Sequence, residues 1–300
     1  MPENKSAASA PKPAPNEVLV VNFEALSPAD MVEKAMAIGV KKAAMPFVPK
    51  FLLAMLAGAY IGLGAMFFTI VTTGSTMSYG VTRLLGGLAF SLGLILVVVG
   101  GAALFTGNNL MTAAALDRKI TMMQLLRNWV IVYVGNFAGS IVLAVIVYYS
   151  EQYKFSDGGV GITVLKVANT KCGYHFLPAF MLGILCNFLV CLAVWLCYSG
   201  RSATDKILAI IFPITAFVAA GFEHSVANMY FISSGLFVKP AALLAQSGTP
   251  LYEMAKSATN ITWSNFLVGN LIPVTLGNIV GGGFFVGAMY WAIYCRKCKS

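Results

Sequence analysis

From Ile207 to Val238 this chain is apolar except at its centre, where Glu223 and His224 stand side by side as the only acidic, basic or imidazole side chains of the segment. An apolar run of about 20 residues crosses a bilayer as a helix, because hydrocarbon offers no partners to free backbone groups. An ionisable side chain at that depth costs about 2.5–3.5 kcal/mol and therefore faces a protein interior or a water-filled cavity. The segment thus demands a membrane helix with a polar interruption. That points to a transport or relay site, with a structural Glu-His pair locking two helices as the plainer alternative.

The rest of the sequence agrees. It is 58% hydrophobic and 10% charged, where soluble domains carry about 25% charged residues. Apolar runs predict six spans, at about residues 51–73, 84–116, 129–149, 177–198, 207–238 and 266–294. The expected class is an all-α integral membrane protein with a channel domain over 51–294. Most of the 20 Lys and Arg then fall on the side of the two termini, among them Lys34, Lys41, Lys42, Arg118, Arg127, Arg201 and Lys206. The positive-inside rule makes that side cytoplasmic, and the net charge of +9 calls for no nucleic-acid partner. Residues 1–21, polar and proline-rich, read as a disordered tail. Within 22–50, Ser27-Pro28 is a helix start with proline at the first helical position, and Met31, Ala35, Ile38 and Lys42 follow at helical spacing as an amphipathic surface helix. Residues 295–300 form a short tail. Its Cys295-x-x-Cys298 is too isolated to imply a metal site, and no cofactor is expected. Cys186, Cys191 and Cys197 serve as small apolar residues.

The second and fifth spans carry breaks. Leu104-Phe105-Thr106-Gly107-Asn108-Asn109 is a loop signal inside a span, and the fifth span has Pro213 followed by Gly221–Asn228. The span after each break holds a matching element, Gly135-Asn136-x-x-Gly139 and Gly277-Asn278-x-x-Gly281. Three spans repeated once reverse their orientation. Paired interruptions in such an inverted repeat mark the binding site, and the Gly-x-x-x-Gly spacing lets helices approach closely. Each restarting half-helix exposes backbone amides that favour an anion. Thr106 adds a hydroxyl, His224 an imidazole that donates in either charge state, and Ser225 a candidate N-cap. Asn187 is the strong polar residue of the fourth span, sharing a face with Val190, Cys191 and Val194. Lys171, in a loop, lies just outside that span. His175 reads as a surface residue.

These residues resemble the formate/nitrite transporter family. The likeness is carried by Leu104–Gly107, Gly183–Ala193, Tyr198–Ser202, Phe222–Met229 and Leu271–Asn278, extends over roughly 22–297, and is strongest to the family's bacterial formate-channel branch. The resemblance implies an aquaporin-like inverted-repeat protomer in a homopentamer, set among inner-membrane lipids, conducting formate, with nitrite, hydrosulfide and acetate as related anions. It carries a substrate pathway onto His224, Thr106, Asn187, Lys171, Glu223 and Asn228. It carries apolar constrictions onto Phe90, Leu94, Leu104, Phe105, Val190 and Phe217. The chain departs from the family at Ala103, where an acidic or small polar residue is usual. A neutral-solute pore of the aquaporin type is the alternative from another class, and Lys171 and His224 oppose it. An enzyme built on Glu223-His224 lacks a nucleophile, a metal cluster or a nucleotide loop.

Overall fold

The computed structural model describes residues 24–295, so the expected N-terminal tail and Cys298 lie outside the described residues. Within them the chain is helical, with no β-strand. Helix α1 spans Pro28–Ala44. Its start is chemical: the Ser27 hydroxyl accepts from Asp30 N–H while the Asp30 carboxylate accepts from Ser27 N–H, a reciprocal capping box. Met31, Val32, Ala35 and Met36 are buried on one face.

Helices α2 (Phe47–Thr72) and α3 (Tyr79–Val99) follow. The short helices α4 (Phe105–Asn108) and α5 (Thr112–Leu116) come next, and then α6 (Met122–Tyr149). The second part of the chain repeats the theme with α7 (Gly159–Cys172), α8 (Phe176–Ser199), α9 (Ala203–Ala219), α10 (Ser225–Leu243), α11 (Pro250–Ser257) and a final long helix, α12 (Asn265–Tyr294). Five of these, α2, α3, α6, α8 and α12, are long and apolar enough to cross a membrane. The apolar segment 207–238 is divided between α9 and α10. The outward faces are apolar as well: Leu52, Val130, Ile146, Phe212 and Phe284 are all exposed, as suits side chains facing lipid.

Close helix contact depends on glycine at two matching places. A Cβ on Gly139 of α6 would strike the Met55 carbonyl of α2, and one on Gly281 of α12 would strike the Ile184 carbonyl of α8. The long helices after the breaks, α6 and α12, thus lie against α2 and α8 respectively. Two expectations need correction. Phe105–Asn108, expected as loop, is helical, and the chain leaves helix just before it, between Gly100 and Leu104. Lys171 does not sit in a loop but in the last turn of α7, an apolar-faced helix whose Val160, Leu165 and Ala168 are buried. His175, by contrast, is exposed at the start of α8.

Candidate functional site

Two breaks build the site, and the same local chemistry makes both. Helix α3 is capped at its C-terminus by Gly100 and α9 by Ala220, each followed by a left-handed glycine, Gly101 at φ 79° and Gly221 at φ 76°. A bond from Ala102 N–H to Val97 O closes the first end. One from Phe222 N–H to Phe217 O closes the second. These are Schellman closures, which satisfy carbonyls that a helix end otherwise leaves free. The chain then runs extended through Leu104 in one break and His224 in the other before helix resumes.

One asparagine holds each extended residue on both sides. Asn136 of α6 donates to Ala103 O and Ala54 O and accepts from Phe105 N–H. Asn278 of α12 donates to Glu223 O and Gly183 O and accepts from Ser225 N–H. At Ala103 the first break is held by Asn136 and by a backbone bond from Ala103 N–H to Leu53 O. The sequence marked Asn136 and Asn278 only as part of a glycine motif. Their bonds to broken backbone are a role that the helical pattern conceals.

Between the breaks, Thr106 Oγ1 lies 2.9 Å from His224 Nε2, and both residues are buried. His224, not Ser225, is the N-cap of α10: Nδ1 accepts from Ala227 N–H at 3.0 Å, while the Ser225 hydroxyl has no partner. With Nδ1 an acceptor, a neutral ring carries its hydrogen on Nε2 and donates to Thr106. Asn187 donates to Thr106 O, Asn109 Oδ1 and Asn278 O, so it joins both halves rather than one.

Glu223 and Lys171 meet as an ion pair at 2.7 Å, with side chains 2% and 14% exposed. The second carboxylate oxygen accepts from Asn228 and Asn270. Asn270 also donates to Lys171 O, and the ammonium lies 5.4 Å from the Phe231 ring centre. Lys171 is thus held by a buried carboxylate and is not the free charge its sequence position suggested. Asn270 had no signal beyond being polar in an apolar span.

The first break has its own lysine. Lys42 of α1 donates to Asn108 Oδ1 at 2.6 Å, Asn108 donates to Asn128 Oδ1, and Asn128 donates back to Lys42 O. Burial lowers the Lys42 pKa to about 8. No carboxylate among the described residues pairs with it.

A cavity of about 370 Å³ leads to this centre, lined among others by Arg83, Lys171, Glu223, Phe90, Phe217 and His224. Phe90 and Phe217 meet edge-on at 5.5 Å, and Phe217 lies 6.0 Å from the imidazole. The other expected constriction residues, Leu94, Leu104, Phe105 and Val190, are buried but do not line the cavity. Phe105 packs edge-on against Trp129 and Tyr133. Phe90, Phe217 and His224 thus line the cavity together, and His224 joins it to the buried Thr106.

The profile of the formate/nitrite transporter family matches residues 29–292. The chain is 43% identical over 276 residues to the formate channel FocA of Escherichia coli K12, covering 92% of this chain and 96% of that protein. It is similar to the solved structure described as a pentameric formate channel with formate bound, at TM-score 0.73 and 45% identity, covering 83% of this chain and 98% of that one. A second solved structure, an FNT family ion channel, is 29% identical at TM-score 0.74, covering 88% of this chain and 98% of that one.

Proposed function

We propose, from the premise that this chain belongs to the formate/nitrite transporter family, that it is a channel for small monovalent anions, formate first, in a bacterial cytoplasmic membrane. In this reading six spans cross the bilayer, the fifth made of α9 and α10 end to end. The second begins with α3 and continues past its break through α4 and α5. Both termini are cytoplasmic by the distribution of Lys and Arg. Five protomers assemble as in the similar pentameric channel, each with its own pore.

The observation that carries the reading is the buried Thr106–His224 hydrogen bond between two restarting half-helices, beside a cavity that His224 lines together with Lys171 and Arg83. Backbone amides and helix N-termini favour an anion there. A bare anion faces a large penalty in crossing apolar collars such as Phe90 and Phe217, whereas formic acid escapes most of it. His224 is placed to lend the proton. The cap sets the terms. Neutral His224 donates a hydrogen bond from Nε2 as it stands. To give that proton away and stay neutral, it must take another on Nδ1, which breaks the bond to Ala227 N–H. Such a cap contributes about 1 kcal/mol, so proton transfer is coupled to a small opening of the first turn of α10. Thr106 takes the anion's oxygen meanwhile, and Asn187, its N–H groups committed to Thr106 O, Asn109 Oδ1 and Asn278 O, keeps the two breaks in register.

The test is anion uptake into proteoliposomes, comparing formate, nitrite, hydrosulfide and a neutral solute at acidic and neutral pH. Formate uptake that rises with external acidity is expected in the parent and absent in His224→Gln, which keeps a donor but no titrating proton. Full acid-driven uptake by His224→Gln would leave His224 a passive donor. Neutral-solute flux without anion flux would return the chain to the aquaporin-type alternative.

A further inference from the structure

The cavity above His224 has a cation that the family resemblance does not mark. Arg83, one turn into α3, reaches across to the end of α9, where Nε donates to Ala219 O at 3.1 Å and Nη2 donates to Val218 O. Its guanidinium also lies 5.7 Å from the Phe68 ring centre. The end of α9 turns the negative pole of its dipole toward the cavity. Arg83 covers that pole.

The electrical balance of the cavity singles out the same residue. Among the described residues, four groups of formal charge line it: Arg83, Lys166, Lys171 and Glu223. Lys171 and Glu223 cancel as an ion pair at 2.7 Å. Lys166 is exposed, where solvent and salt screen it strongly. Arg83 is half-buried, and no carboxylate among the described residues pairs with it. Two of its five N–H groups are committed to carbonyls, which leaves three for an incoming oxygen. A planar fork of that kind matches a carboxylate better than an ammonium does.

We propose that Arg83 is the anion-recruiting residue of this cavity, gathering small carboxylates at the rim and passing them toward His224, while Lys171 is chiefly the structural partner of Glu223. The inference rests on the anion-channel reading. It adds which side chain supplies the attracting charge.

Initial formate uptake, measured against formate concentration at low and high ionic strength, tests it. A fixed charge in a low-dielectric funnel concentrates counter-ions, an effect of about tenfold or more that salt removes. Arg83→Gln should therefore raise the half-saturating formate concentration about tenfold at low salt, with little difference from the parent at high salt, and Arg83→Lys should recover most of the loss. Equal losses at low and saturating formate in assembled Arg83→Gln and Arg83→Lys proteins would overturn the proposal and leave Arg83 a helix cap. Should Arg83→Gln fail to assemble, the parent protein decides. Phenylglyoxal should modify Arg83, as located by mass spectrometry, and formate should protect it. No adduct at Arg83, or one that formate does not slow, overturns the proposal. The parent's own formate uptake in the same vesicles reports on the channel reading separately.

Discussion

The two breaks in this molecule share a backbone and differ in what hangs on it. In each, a Schellman end with a left-handed glycine leads to an extended residue fixed by an asparagine from the last long helix of its half. At equivalent places the first break carries Ala103, Leu104 and Asn108, and the second carries Glu223, His224 and Asn228. The first is apolar at its centre and draws its lysine, Lys42, from α1. The second is polar and draws Lys171 from α7. The lesson is a division of labour. Similar backbone geometry brings the starts of α4 and α10 together at the Thr106–His224 contact, and the side chains differ, the second break alone carrying an imidazole beside a Glu223–Lys171 pair.

Removing the clamps should have the largest effect. Asn136→Ala and Asn278→Ala each delete three buried hydrogen bonds, at about 1 kcal/mol each plus the cost of the groups left unpaired. Thermal unfolding in detergent should fall in both by about 3 kcal/mol or more. Only Asn278→Ala, which frees His224, should also change the acid dependence of uptake. Equal effects of the two variants on that dependence would break the proposed division.

The lysine partners give the next effect. Glu223→Gln leaves the Lys171 ammonium without its carboxylate, a change of about 3 kcal/mol for a buried pair, reduced here because Lys171 is partly exposed. The double variant Glu223→Gln, Lys171→Met should regain part of that stability, and a double-mutant cycle measures the coupling. No coupling would show that the pair is incidental to the fold.

Lys42 makes the contrast sensitive to pH. Its folded pKa of about 8 lies below the ordinary lysine value of 10.5 because burial disfavours the charge. Between those values the unfolded chain binds more protons than the folded one. Lys42 therefore makes stability rise with pH across that window, with no contribution to the slope below it. Ala103→Asp gives the first break the acidic residue that Glu223 supplies to the second, and should flatten the rise by holding the ammonium charged. Lys42→Met should abolish it. Unfolding in detergent from pH 7 to 10 reads both, and an unchanged rise in Lys42→Met would assign it to another group.

The smallest effect concerns the helix that delivers Lys42. Ser27→Ala removes one side of the capping box and should cost about 1 kcal/mol. Hydrogen exchange should quicken in the first turns of α1 while protection around His224 stays as it was. Faster exchange at both breaks would mean that α1 supports the whole site.

Much of this was legible in the sequence because it is local chemistry. Apolar length predicts membrane-competent helices. The runs Leu104–Asn109 and Gly221–Asn228 predict that the second and fifth spans break, although the first break lies just before its run, and Ser27-Pro28 predicts where α1 begins. The echo of Gly-Asn-x-x-Gly predicts that the halves correspond. The pairings were not legible. Lys171 reaches Glu223 across 52 positions, Asn136 reaches Ala103 across 33, and Arg83 reaches Ala219 across 136. Lys171 looked free because its carboxylate lies beyond any helical window. Ser225 looked like the cap because it has the better capping side chain, yet His224 takes that place when Asn278 fixes the backbone on both sides of it. Hydrophobic periodicity and helix-ending residues act within a turn or two of chain. Which polar group meets which across a membrane interior depends on how helices pack, and there a buried charge or a free backbone group must find a partner wherever the packing offers one.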